Sequence, residues 1–131
     1  MFDINPTQAA PIWRQIEEGM RRMISLGTLA PGGAVPSVRE LAQQLRVNPN
    51  TVARAYQRLT DAGVFAVRRG EGTFVAESPS QLKKSERNEA LREAAERYAG
   101  TALSVGATLG EATTELERGF DRLTREHRRK A

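Results

Sequence analysis

Asn50, Thr51 and Arg54 stand in "RVNPNTVARAYQRL", residues 46–59, where helical spacing brings three hydrogen-bonding side chains to the start and outer side of one helix. An arginine guanidinium makes paired bonds to O6 and N7 of guanine, and an asparagine amide does the same with adenine. The first turn of a helix adds free amides and the positive end of a dipole, which suit phosphate. Further along, Arg68 and Arg69 precede "GEG", a tight turn that glycine permits, so two more cations are expected at a hairpin tip. Basic side chains there are placed for phosphate or a narrow minor groove. Alone, either fragment reads as a solvated surface. Together, at this separation, they read as one interface for a nucleic acid.

Catalytic chemistry finds no such support. The 131 residues include no cysteine, which removes disulfides, zinc–thiolate sites, iron–sulfur clusters and cysteine nucleophiles together. The one histidine, His127, lies in the "REHRRKA" tail. Ser37 therefore has no base to activate it, and one histidine builds no typical metal site. "GEGT" looks like a phosphate-cradling loop but lacks the Lys–Ser/Thr pair and the following helix. A dinucleotide fingerprint would need a third glycine and a longer βαβ unit. No enzyme activity, cofactor or metal is expected.

Net charge is +4 and the sequence pI about 10.1, a balance that suits a polyanion. The charge is not concentrated, however. Residues 1–77 carry nine Lys/Arg and seven Asp/Glu, and residues 78–131 carry eleven and nine, so each part is +2. The nucleic-acid reading rests on where the arginines sit. The "HRRK" tail either adds non-specific phosphate attraction or is a frayed, solvated end. No stretch approaches the roughly 20 apolar residues of a membrane span. The N-terminus lacks a basic region followed by an apolar core, so no secretory signal is read. The expected location is the cytoplasm, with no membrane partner.

Three helices and a hairpin must position these side chains. A first helix starts near Pro11, with Ile12, Ile16, Met20, Met23 and Ile24 as its apolar stripe, Trp13 flanking it and Gly27 as its stop. "GTLAPGGAVPS" reads as a loop with a short strand at its end. Ser37 and Glu40 have capping-box spacing and open a second helix, with Val38, Leu41, Ala42 and Leu45 facing inward. Asn48 caps the third helix and Pro49 fits its first turn. Val52, Ala55, Tyr56 and Leu59 form its inner side, leaving Asn50, Arg54, Gln57, Arg58 and Asp61 outside with Thr51 at the edge. Gly63 ends it. The runs 64–68 and 73–76 then flank "RGEG" as a β-hairpin. Two short helices around Arg46–Val47–Asn48 match a helix-turn-helix, whose second helix enters the major groove. The hairpin supplies a wing. The expected fold is mainly α with a small β-hairpin: a winged helix-turn-helix over residues 9–77, then a linker and two-helix region with a basic tail over 78–131.

In order, "PIWRQI", "GTLAPG", "VPSVRELAQQLRVNPNTVARAYQRL", "AG" and "RRGEGTFV" resemble the GntR family of bacterial transcription regulators over roughly residues 9–77. Trp13 stands where tyrosine is commoner in that family, Gly33 where aspartate is usual and Val35 where leucine is usual. The resemblance implies DNA-contact roles for Arg39 on helix two, for Asn48, Asn50 and Thr51 at the start of the recognition helix, and for Arg69 and Gly70 at the wing tip. It also implies a phosphate contact at Ser37 beside its cap role. Arg54 and Arg68 join this set from helical phase and hairpin position.

Most members of that family carry a large effector-binding or aminotransferase-like domain, whereas 54 residues follow residue 77 here. A short helical tail is similar to the YtrA-type subfamily, whose members often control transporter operons including their own. Leu91, Ala95, Tyr98, Ala102, Val105 and Leu109 step by four and three residues as a thin heptad-like seam. "TLGE" at 108–111 has capping-box spacing and starts a further helix lined by Ala112, Leu116, Phe120 and Leu123. The seam, with Leu116 and Phe120, is expected to be a dimerisation surface; packing back on the winged domain is the alternative. The expected partners are operator DNA and a second copy of the chain, forming a dimeric repressor on a near-palindromic operator. The other reading is a winged-helix protein–protein adaptor, in which an apolar patch would replace the Arg/Asn/Thr set.

Overall fold

Pro11 leads into α1 (Ile12–Ser25), whose stripe buries Ile16, Met20 and Met23, with Ile12, Trp13 and Ile24 partly covered. Gly27 adopts a left-handed φ of 79°, and the Gly27 and Thr28 amides bond back to the Ile24 and Met23 carbonyls. That pattern seals the C-terminus of the helix. The structure is a computed structural model that describes residues 1–79 and 82–130, with side chains through Glu126. Residues 80–81 of the expected linker, and the side chains of His127 and the rest of "HRRK", lie outside the described residues.

The capping box at Ser37 and Glu40 forms in both directions and starts α2 (Val38–Leu45). Arg46 then turns the chain with a left-handed φ of 57°, the one non-glycine residue with positive φ among those described. Asn48 caps α3 (Pro49–Asp61), which packs on α1 and α2 through Val52, Ala55, Tyr56 and Leu59, all buried. Ala62 and a left-handed Gly63 close it by the same pattern that closes α1.

β1 (Phe65–Arg68) and β2 (Gly72–Val75) pair antiparallel with Phe65 opposite Val75 and Arg68 opposite Gly72. Gly72 therefore belongs to the strand, and the loop is Arg69–Gly70–Glu71. The short strand expected after the glycine-rich loop is a single bridge, Ala34 to Phe74. It is extended by bonds between Val35 N–H and the Thr73 carbonyl and between Val75 N–H and the Gly33 carbonyl. The wing thus has a third backbone segment on its β2 edge.

Phe2 is buried in the same core, which the sequence pattern did not indicate. It fits because Gly19 leaves a notch in α1: a Cβ there would meet the Phe2 ring at 2.7 Å.

A second compact unit spans residues 81–126. It contains α4 (Lys84–Ser104) and, as far as Glu126, α5 (Leu109–Lys130), joined by Val105–Gly106–Ala107–Thr108. This corrects the expected continuous seam from Leu91 to Leu109. A left-handed Gly106 and the capping box between Thr108 and Glu111 break the helix, so Val105 becomes a cap and Leu109 begins α5. Tyr98 donates its hydroxyl to the Ala112 carbonyl at 2.7 Å and ties the two helices near their joint. Ala102 is the buried residue of α4.

Candidate nucleic-acid interface

The outer side of α3 starts from a fully satisfied backbone. Pro49 has no N–H. The Asn50 amide donates to Asn48 Oδ1 at 2.8 Å, and the Thr51 and Val52 amides donate to the Asn48 carbonyl at 3.0 and 3.3 Å. The free amides expected there are therefore absent, because Asn48 takes them. Contacts from this end of α3 must come from side chains. Asn48 Oδ1 is spent on the cap, leaving its amide NH2 as the group that can reach outward.

The N-terminus of α2 is different. Ser37 Oγ accepts from the Glu40 amide at 3.0 Å, and Glu40 Oε1 accepts from the Ser37 amide at 3.3 Å. The Val38 and Arg39 amides have no acceptor among the described residues. Arg39 itself is exposed and without an ion-pair partner there. A guanidinium, two open amides and a hydroxyl whose proton is still available converge in sequence at Ser37–Arg39, a set that suits an anion.

On α3, Asn50 and Thr51 have side chains without hydrogen-bond partners, while Gln57 donates to Asp61 at 2.8 Å. Arg54 and Arg58 behave differently from a freely solvated pair. Both guanidinium carbons lie over the Trp13 ring of α1, at 4.5 and 4.6 Å from its centroid. Arg58 also bonds Glu17 at 3.1 Å, whereas Arg54 has no carboxylate partner among the described residues. Trp13, noted in the sequence only as a flank of the α1 stripe, is thus a component of this surface. No local spacing rule could reveal that, because the contact links positions 41 and 45 residues apart.

In the wing the two arginines separate. Arg69 occupies the loop with Gly70, which holds a φ of 80°, and is exposed with no partner among the described residues. Arg68 is in β1 rather than at the tip. Its guanidinium lies 4.1 Å from the Phe74 ring centroid and 3.4 Å from Glu77 Oε1. A register that pairs Arg68 with Gly72 sends its side chain across the strand instead of off the end.

The buried Leu41, Val52, Tyr56 and Leu59 position this surface. Tyr56 donates to the Pro36 carbonyl at 2.6 Å and meets Phe65 edge-on at 5.1 Å. Burial, with the nearby Glu40 charge adding to it, keeps its phenol protonated far above the ordinary range. Elsewhere, α5 bears an open groove of about 350 Å³ lined by Tyr98, Glu115, Leu116, Gly119, Phe120, Arg122 and Leu123. Among the described residues no His/Cys/Asp/Glu cluster suits a metal, and no helix is long and apolar enough to cross a membrane.

The sequence pattern described as "Bacterial regulatory proteins, gntR family" matches residues 13–75, the stretch that holds α2, α3, the wing and nearly all of α1. The chain is 41% identical over 78 residues to the HTH-type transcriptional repressor YtrA of Bacillus subtilis (strain 168), covering 60% of each protein. It is 36% identical over 101 residues to the HTH-type transcriptional regulator YhcF of the same organism, covering 77% of this chain and 83% of that one. Among solved structures, a transcriptional antiterminator from Listeria monocytogenes EGD-e superposes with a TM-score of 0.73 at 28% identity, covering 95% of this chain and 92% of that one. YtrA from Sulfolobus acidocaldarius, a GntR-family transcription factor, gives 0.54 at 30% identity, covering 92% and 97%. AraR(DBD) in complex with operator ORX1 gives 0.51 at 31% identity, covering 58% and 93%. With the family's pattern lying across its helix-turn-helix and wing, and 83% of a relative's length matched at 36% identity, this chain belongs to the GntR family of bacterial regulatory proteins.

Proposed function

We propose that this chain is a sequence-specific DNA-binding transcription regulator, a repressor that acts in the cytoplasm as a homodimer on a near-palindromic operator. The observation that carries the reading is the set of exposed Arg39, Asn50 and Arg69 side chains with the partly exposed Thr51. All four lack side-chain partners among the described residues, and they stand on α2, the first turn of α3 and the wing loop. Asn50 and Thr51 meet base edges in the major groove. Ser37, Arg39 and the open α2 amides take a backbone phosphate, and Asn48 adds its amide NH2. Arg69, on the turn that Gly70 permits, reaches the flanking minor groove or phosphate. Arg68, held by Phe74 and Glu77, contributes less than Arg69. The solved complex of AraR(DBD) with an operator supports DNA as the partner of this fold. No large apolar side chain of α3 is exposed among the described residues, so the adaptor reading lacks the patch it needs.

Residues 78–131 serve as linker and dimerisation region. Leu116 and Phe120 on α5 are 50% and 69% exposed, and Leu91 on α4 is 57% exposed, more apolar surface than one two-helix unit can cover. Ala95 and Tyr98 continue the α4 side of that surface, while Ala102 is buried and Val105 and Leu109 sit at the helix joint. Likeness to the YtrA repressor supports repression as the mode of action. A target that includes the chain's own gene and a transporter operon follows from the resemblance of its short helical tail to the YtrA-type subfamily.

A footprint on DNA upstream of the chain's own gene tests the reading. A protected near-palindrome is the expected result. Arg39→Ala and Arg69→Ala should each weaken binding and flatten its salt dependence by about one phosphate's worth, with folding intact. Unchanged affinity of both variants at fixed salt would overturn these contacts.

A further inference from the structure

Arg54 and Arg58 share one tryptophan, yet their situations differ. Arg58 is anchored twice, by the Trp13 ring at 4.6 Å and by Glu17 at 3.1 Å, where the Glu17 side chain is only 14% exposed. Arg54 is anchored once, by the ring at 4.5 Å. Stacking engages the flat face of a guanidinium and leaves the N–H edge in its plane free to donate. Arg54 has no hydrogen bond to a described residue, so its donors remain open while its position is restrained. A long side chain otherwise loses up to about 2 kcal/mol of rotamer freedom when it is fixed on binding. The indole removes part of that loss in advance.

Resting on the DNA-binding reading above, we propose that Trp13 is a positioning residue for recognition: α1 lends an aromatic platform that presents the N–H edge of Arg54 to the DNA. Glu17 holds Arg58 on the same ring and keeps the second cation from competing for that role. Recognition by this chain thus draws on α1 as well as on α2, α3 and the wing.

The test is a double-mutant cycle on the full chain. The probe is a 30-base-pair duplex carrying the sequence protected upstream of the chain's own gene. Trp13→Leu should weaken binding about two- to fivefold, the scale of one partly exposed cation–π contact. Trp13→Tyr should restore most of it. In an Arg54→Ala background, Trp13→Leu should have no further effect, whereas in an Arg58→Ala background it should keep its full effect. A mere loss of folding in Trp13→Leu would act equally in all backgrounds and would not be rescued through Arg54. Equal losses with and without Arg54, or full affinity of Trp13→Leu, would overturn the proposal while leaving DNA binding in place. Absence of any protected sequence for the wild-type chain would instead remove the functional reading, and this inference with it.

Discussion

The Tyr56 hydroxyl of α3 donates to the Pro36 carbonyl at 2.6 Å, tying this helix to the residue before the α2 cap. The ring also meets Phe65 edge-on, so one side chain joins three elements. Tyr56→Phe keeps the ring contact and removes only the bond. It should lower unfolding free energy by about 1 kcal/mol in denaturant titration, with little change in core packing. An unchanged midpoint would show that Pro36 finds another donor at no cost.

Arg46 turns the chain between α2 and α3 at φ 57°. For a residue with a Cβ this region costs roughly 1 kcal/mol, and glycine escapes most of that cost. Arg46→Gly should therefore stabilise the domain by about 0.5 kcal/mol after the added flexibility of the unfolded chain is subtracted. A lower melting temperature would mean that the Arg46 side chain contributes more than its backbone strain removes.

The Thr108 backbone amide, with a smaller contribution from its hydroxyl, holds the Glu111 carboxyl below its ordinary range. A depressed carboxyl stabilises the folded state fully above its unfolded-state pKa. That stabilisation is lost as pH falls through the lower, folded value. The start of α5 should therefore fray at acid pH, seen as loss of amide protection at Glu111 and Ala112. Glu111→Gln should remove this pH dependence. Identical acid profiles for both proteins would exclude the capping carboxylate as its source.

Leu116 and Phe120 line the open groove on α5 and carry no core role in one chain. If the proposed dimer forms here, Phe120→Glu should shift sedimentation from dimer to monomer and weaken operator binding by at least tenfold, with helical content preserved. A variant that still sediments as a dimer would place the interface elsewhere.

Helix boundaries, caps and the α3 core were readable in the sequence because they depend on near neighbours: Ser37 with Glu40, Asn48 with Pro49, and the Val52–Leu59 spacing. The wing was readable to within one residue. What was hidden depends on tertiary approach. Phe2 needs the Gly19 notch, Arg68 needs Phe74 and Glu77 across the hairpin, and Arg54 needs Trp13 from another helix. The seam from Leu91 to Leu109 misled because its heptad spacing runs through Gly106, and a local break overrides periodicity.

The sealed ends of α3 carry a further consequence. Asn48 absorbs every early amide and Gly63 closes the far end, so the helix asks nothing of its outer side chains for its own integrity. On the DNA-binding reading, the side chains at positions 50 and 51 can change while the helix that carries them stays intact. On that reading, a lineage could rewrite the address this protein reads, one letter at a time, without rebuilding the press.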